Sequence, residues 1–421
     1  MAKTTSKMLR NQMIYSVYVR NYSEEGTFEG VRRDIDRIRD LGTDIIWLMP
    51  IHPIGEKKRK GTMGSPYAIR NYREINPEFG TMEDFVRLVD AIHAKGMKCI
   101  IDVVYNHTSP DSWLAANHPE WFYHKPDGSF GNRIGDWSDI IDLDYRHREL
   151  WDYQIETLKM WAEYVDGFRC DVASMVPIEF WLAAREELEQ VRPGCIWLAE
   201  SVDNRFIRAN RCQGIASSSD SEIFQAFDLS YEYDSYPLFY GYLTGENSLD
   251  EYVTHLNLQE CIYPDNYVKL RFLENHDRLR AHFLIPEERA LENWTAFLFF
   301  QKGAAMVYAG QEKGCSHLPA LFEKDPVDWN GDSAIRIDTD LSSLITRLAR
   351  LKKDSIFAES SYQVQALPKD CVAAVHMRNQ SIQEEKDAGV TGLLLGIFSL
   401  KGEEGVVSLE DIKTPDFKCA G

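Results

Sequence analysis

The sequence predicts a (β/α)8 TIM barrel with a short inserted domain after the third strand and a small antiparallel β domain at the C-terminus. Three observations predict it. An amphipathic helix, a glycine and a short apolar strand recur along the chain. The strands are apolar throughout rather than alternating, the pattern of a parallel sheet covered on both faces. Eight of them, with intervening helices, spread over about 340 residues, which favours a closed barrel over a doubly wound sheet.

The first strand is Ile14 to Val19. Val31, Ile35, Ile38 and Leu41 then share one helix face, Gly42 ends that helix, and Ile45 to Met49 is the second strand. The next copy opens on a capping-box pattern, Thr81 and Asp84. Its inward face is Phe85, Leu88, Val89 and Ile92; Gly96 ends it, and Lys98 to Val104 is the third strand. Val165 to Cys170, Cys195 to Ala199, Phe224 to Leu229 and Lys269 to Leu273 supply the next four. The last copy has Pro286 at a helix start, an apolar run from Trp294 to Phe300, then Gly303 and the strand Ala304 to Tyr308.

One interval breaks the rhythm. Asn106 to Tyr145 has no clean helix and carries Pro110, Pro119, Pro126, Gly128 and Gly131 among Trp113, Trp121, Phe122, Tyr123 and Trp137. A long excursion from a strand's C-terminal end reads as a small domain beside the active-site face. After the helix Leu341 to Lys352, the runs Val372 to Met377, Gly392 to Ser399 and Gly405 to Leu409 read as strands. The boundaries are then 1–105 and 146–354 for the barrel, 106–145 for the insertion and 355–421 for the C-terminal domain.

A net charge of −19 disfavours nucleic acid as a partner. The basic run Lys57, Lys58, Arg59, Lys60 is too short to change that and reads as a solvated loop. No stretch is long enough to span a membrane, and no long apolar segment follows the polar Met1 to Gln12. None of the eight cysteines falls in a CxxC pair, and Cys99 and Cys170 sit in apolar strands as buried, reduced thiols. A cytoplasmic location is the expectation. Aromatic residues, at 12%, suit a sugar-binding protein because rings stack on sugar C–H faces, although most of them belong to the core.

The C-terminal strand ends, where a barrel carries its chemistry, are polar. The third runs into Asp102-Val-Val-Tyr-Asn106-His107, the fourth ends Arg169-Cys-Asp171, the fifth ends at Glu200, and the seventh ends Glu274-Asn275-His276-Asp277. Arg169 and Asp171, two apart on a strand, share a face. A cation beside Asp171 should lower its pKa and keep it ionised. Glu200 lies one strand over, where two carboxyls can approach within about 5–5.5 Å, the spacing of a retaining glycosidase. That mechanism needs one ionised and one protonated carboxyl.

The segments DVVYNH (102–107), GFRCD (167–171), AE (199–200) and ENHD (274–277) resemble, in order and spacing, the four signature regions of the α-amylase family of glycoside hydrolases, glycoside hydrolase family 13. IIWLMPIHP (45–53), SPYAIRNY (65–72), IIDLD (140–144) and MVYAGQE (306–312) resemble further family segments, so the likeness covers roughly residues 12 to 350. The resemblance implies a retaining enzyme that cleaves α-1,4-glucosidic bonds of starch, glycogen or maltooligosaccharides. In it Asp171 is the nucleophile, Glu200 the general acid/base, and Asp277 a holder of sugar hydroxyls in the transition state. It implies that Arg169 positions the nucleophile, that His107 and His276 hydrogen-bond the sugar at the cleavage point, that Tyr67 stacks beneath that ring, and that Asp102 is structural, locking the loop around the site. His52 reads as structural.

Asn106 and Asp142 match calcium-ligand positions of the family, and oxygen ligands suit Ca2+. The pattern is broken after Asp171. Val172, Ala173, Ser174 and Met175 stand where many amylases have a small pair and then Lys-His, which serves the acceptor side and, through a main-chain oxygen, a calcium ion. Asn71-Tyr72 stands where an acidic residue before the tyrosine is common. A 4-α-glucanotransferase or an α-glucosidase shares this chemistry and is the nearest alternative. A non-catalytic glucan-binding protein on the same barrel is the alternative of another class; retention of Asp171, Glu200 and Asp277 together argues against it.

Overall fold

The computed structural model describes residues 4–135, 137–329, 339–378 and 392–412. Eight parallel strands close into a barrel: β1 (Met13–Val17), β2 (Ile45–Leu48), β3 (Lys98–Val103), β4 (Gly167–Cys170), β5 (Ile196–Ala199), β6 (Leu229–Tyr231), β7 (Val268–Arg271) and β8 (Ala304–Tyr308). Each pairs with its sequence neighbours, and β8 returns to β1 through Met13↔Ala305 and Ser16↔Tyr308. Every strand residue except Lys98 is buried, which explains why these strands read as unbroken apolar runs.

The repeating helix–glycine–strand unit folds as its spacing requires. Thr81 and Asp84 form the expected capping box, and the helix Met82–Ala94 buries Phe85, Leu88, Val89 and Ile92. Gly42, Gly96 and Gly303 all take positive φ (95°, 72° and 135°), turning the chain from helix into strand.

Three expectations need correction. The sixth strand is Leu229–Tyr231, not Phe224 to Leu229: the apolar residues before Asp228 follow a short helix, Asp220–Ile223, that starts with a Ser219/Glu222 capping box, and they pack on Tyr263 and Trp181. Periodicity alone does not separate a buried turn from a buried strand. The insertion does hold a helix, Trp113–Asn117, capped by the Ser112 hydroxyl, which accepts from the Ala115 N–H (3.1 Å). A short antiparallel pair, His107–Thr108 with Ile141–Asp142, closes the insertion. In the C-terminal region Gly405 to Leu409 is not a strand, and Val406 is 97% exposed. The antiparallel sheet is β9 (Ser361–Leu367), β10 (Cys371–Met377) and β11 (Leu393–Ser399). It packs on the barrel through Phe398, 5.5 Å from Phe297 and 5.4 Å from Phe300 between ring centroids.

The seven described cysteines form no disulfide, and Cys99 and Cys170 are buried; Cys419 lies outside the described residues. Among the described residues no helix is long and apolar enough to cross a membrane.

Two glycines separate backbone conformation from crowding. A Cβ on Gly96 would meet nothing within 4 Å, whereas one on Gly303 would stand 2.4 Å from the Lys269 carbonyl oxygen. Gly96→Ala should cost about 1 kcal/mol, for the left-handed φ alone. Gly303→Ala should cost roughly 2–4 kcal/mol, because the backbone must also move. Denaturation midpoints compare them; equal losses would show that crowding at Gly303 is relieved at no cost.

Candidate active site

The strand register assembles the site. Asp102 on β3 pairs with Arg169 on β4, and Cys170 on β4 pairs with Ala199 on β5. Asp171 and Glu200, one residue further on, therefore leave adjacent strands at the same height. The Asp171 N–H donates to the Val103 carbonyl (2.9 Å) and the Glu200 N–H to that of Cys170 (3.0 Å).

Arg169 is the hub. Its side chain is wholly buried. Nη1 donates to Asp102 Oδ1 and Oδ2 (2.9 and 3.0 Å) and to Asp171 Oδ1 (2.9 Å), while Nη2 lies 3.1 Å from Glu200 Oε2. Trp47, Tyr67 and Tyr231 pack around the guanidinium at 5.1, 5.6 and 5.3 Å from their ring centroids. A buried cation needs such pairing, and a planar fork can serve several carboxylates at once.

The other expected residues gather above it. The Tyr67 hydroxyl donates to Asp102 Oδ2 (3.3 Å) and lies 2.7 Å from His276 Nε2, which is itself 3.1 Å from Asp277 Oδ2. The Tyr67 and His276 rings are stacked at 5.4 Å. His107 Nε2 is 3.9 Å from Asp171 Oδ2. Asp102 is thus tied to Arg169 and Tyr67; the loop after β3 is held instead by the Tyr72 hydroxyl, which donates to the carbonyls of Val104 (2.6 Å) and His107 (2.7 Å). His52 sits away from the cavity, with Nδ1 3.0 Å from the Glu74 carbonyl and its ring against Trp161.

Val172 carries a role that its residue type does not announce. It has φ +42°, a left-handed conformation that a β-branched residue adopts only under constraint. That bend aims its N–H at Glu200 Oε2 (2.8 Å). The residue after one carboxyl thereby positions the other.

A cavity of about 220 Å3 opens over these groups, lined by Tyr67, His107, Asp171, Glu200 and Asp277 below and by Lys60, Trp137, Asp139, Leu321 and Phe322 around its wall. It is smaller than the roughly 300–1,000 Å3 of a pocket for a drug-sized ligand, and fits a short piece of a longer molecule. Asp171 Oδ2 is buried and has no hydrogen-bond partner among the described residues. An acceptor left bare at the floor of a cavity is free to attack.

The electrostatics differ from the expectation at one point. Arg169 does pull the Asp171 carboxyl down, but burial and the neighbouring Glu200 outweigh it, and the net direction is well above the usual aspartate range. Asp102 is likewise raised by burial, against Arg169, to about 6. Asp277 goes the other way. Burial pushes it up, but His276, Arg169 and Arg278 hold it at about 2, and its side chain is 40% exposed. Burial lowers His107 to about 4, so its ring is neutral near pH 7.

Asn106 and Asp142 are the residues expected to hold calcium, and each already has protein partners. Asp142 Oδ2 accepts the Arg133 N–H (2.7 Å) and lies 3.4 Å from the Arg133 guanidinium, a cation already in place; only Oδ1 lacks a hydrogen-bond partner. The Asn106 amide Nδ2 lies against His107 Nδ1 (3.2 Å). Among the described residues no group of three or more His, Cys, Asp or Glu could hold a metal ion, so Ca2+ here would have to draw on amide and carbonyl oxygens as well.

Two outcomes follow. A nucleophilic Asp171 must be ionised, so a carboxyl raised in the folded site places the acidic limb of kcat/KM above the ordinary aspartate value of about 3.9. Asp102→Asn removes a negative charge and releases Arg169 to Asp171, so the limb should move to lower pH; an unmoved limb would contradict the coupling. EDTA tests the expected calcium: a fall of several degrees in the thermal midpoint, reversed by Ca2+, would support an ion at Asn106 and Asp142, and an unmoved midpoint would overturn it.

Residues 11–122 and 110–347 match the family model described as Alpha amylase, catalytic domain. Among solved structures, an alpha-amylase from Lactobacillus plantarum is 47% identical with a TM-score of 0.88, over 94% of this chain and 90% of that one. A noncanonic maltogenic alpha-amylase, AmyB from Thermotoga neapolitana, is 35% identical with a TM-score of 0.78, over 88% and 83%. An alpha-1,4-glucan:maltose-1-phosphate maltosyltransferase from Cereibacter sphaeroides is 30% identical over 66% of this chain and 42% of its own length. The chain spans about half the length of the curated relatives it matches. The match across most of the barrel, with the strand-end carboxyls in place, shows that the chain belongs to the alpha-amylase family.

Proposed function

We propose that the protein is a retaining α-glucan hydrolase that cleaves α-1,4-glucosidic bonds of maltooligosaccharides, starch or glycogen, with Asp171 as nucleophile and Glu200 as general acid/base. One observation carries the reading: a single buried guanidinium touches both Asp171 and Glu200. That contact supports the short carboxyl spacing of a retaining enzyme, about 5–5.5 Å, over the roughly 6.5–9.5 Å of an inverting one.

The chemistry follows from the placement. A glucosyl unit enters the cavity with its anomeric carbon over Asp171 Oδ2. The oxygen attacks, the bond to the leaving oxygen breaks, and the Glu200 proton goes to that oxygen. A glycosyl ester on Asp171 and a Glu200 carboxylate remain. Glu200 then takes a proton from a water that attacks the same carbon; the ester breaks, Asp171 is freed, and the sugar keeps its configuration. Arg169 orients both carboxyls, Asp277 and His276 hold hydroxyls of the distorted ring, and His107, neutral near pH 7, hydrogen-bonds it without adding charge. Tyr67 offers its ring as the platform beneath.

Transfer to a second sugar in place of water is the other reading, favoured by the likeness to the maltosyltransferase. The unpaired buried cysteines suit a reducing compartment, and we place the enzyme in the cytoplasm on that ground.

Incubation with maltoheptaose separates the readings. Only shorter sugars are expected from the wild type, and Asp171→Asn should lose at least about 10^3-fold of kcat, as loss of a nucleophile does. Products longer than the substrate would make the protein chiefly a transferase. An untouched substrate would end the α-1,4-glucan assignment.

A further inference from the structure

The cavity is walled on one side by three loops that meet there. Lys60, on the loop after β2, pairs with Asp139 of the insertion at 3.0 Å; their side chains are 33% and 7% exposed. The same loop is bonded to the one after β8. The Thr62 N–H donates to Glu323 Oε1 (2.8 Å), the Met63 N–H donates to the Phe322 carbonyl (3.1 Å), and Lys60 Nζ lies 5.9 Å from the Phe322 ring centroid. The seam is tight, since a Cβ on Gly61 (φ +62°) would stand 2.8 Å from the Phe322 carbonyl oxygen.

The barrel fixes which side this is. Glu200 follows β5, and in a closed ring of eight strands the far side from β5 is β1, flanked by β8 and β2. The proton donor of a retaining glycosidase faces the leaving group. The leaving part of the glucan therefore departs on the Glu200 side, and the part that stays bound to Asp171 runs toward the loops after β8 and β2. That is where the cavity is walled.

We propose that Lys60, Asp139 and Phe322 close the donor end of the cleft, so that the enzyme acts from the non-reducing end of the glucan and removes a short unit of fixed length. This rests on the glucan-cleaving reading above. The terminal hydroxyls meet the Lys60–Asp139 pair, which offers a donor and an acceptor to them, and a chain that continues past this point meets Phe322 and the bonded seam. Lys60 and Asp139 are specificity-determining residues here: they read the chain end and leave bond breaking to Asp171 and Glu200.

The test uses maltoheptaose tagged at its reducing end with 2-aminobenzamide, free or carrying a 4,6-O-benzylidene block at its non-reducing end. The wild type should shorten the free substrate by one constant step and cleave the blocked one about tenfold more slowly or worse, the scale of one misplaced group in a pocket. Lys60→Ala combined with Phe322→Ala should narrow that ratio and broaden the product sizes; Asp139→Asn, which keeps shape and removes the charge, should move both in the same direction. Equal wild-type rates on the two substrates, with mixed product lengths, would overturn the wall and leave the glucan-cleaving reading standing. Cleavage of neither would overturn that reading, and this one with it.

Discussion

The site depends on one buried charge. Arg169 is wholly buried and faces three carboxyls, those of Asp102, Asp171 and Glu200. Removing one partner of a buried ion pair typically costs about 3–5 kcal/mol, because the remaining charge is stranded. The guanidinium cannot relax toward any one acid without abandoning another. It therefore fixes the geometry of the Asp171 and Glu200 carboxyls together, and the rings of Trp47, Tyr67 and Tyr231 pack around it. Burial first, and then the neighbouring Glu200 and Asp102 carboxyls, raise Asp171 despite its bond to Arg169.

Strand order converts that hub into a directional cleft. The acids come from consecutive strands, β3 to β5, and the Asp277 carboxyl comes from beyond β7. The loops after β2 and β8 are bonded to each other beside the cavity. The same barrel thus supplies a rigid floor from its strands and a wall from its connections, and only the wall is free to change without disturbing the floor.

Much of this was legible in the sequence, for a physical reason. A parallel strand buried on both faces must be apolar, so an acid or histidine at its end stands out; Asp171, Glu200 and His276-Asp277 were found that way. The wall was not. Lys60 sits in a basic run that reads as solvated, and Lys57 and Lys58 are indeed exposed, but its partner Asp139 is 79 positions away and no local pattern announces the pair. Val172 was visible only as a break in a family pattern; its bond to Glu200 follows from a backbone angle that its side chain disfavours. The sixth strand slipped because Phe224 to Phe227 is as apolar as a strand while belonging to a turn. Ser361–Leu367 alternates in burial as a half-exposed strand does, but its polar residues make it less apolar than the runs after it.

The central claim is that Asp171 Oδ2 forms a covalent bond to the sugar. The most direct measurement is mass spectrometry of the protein after reaction with 5-fluoro-α-glucosyl fluoride, which slows breakdown of such an ester. The account predicts an increment of one fluoroglucosyl group, located by peptide fragmentation at Asp171 and missing in Asp171→Asn. Turnover of the reagent with no adduct, or an adduct on a different carboxyl, would contradict it.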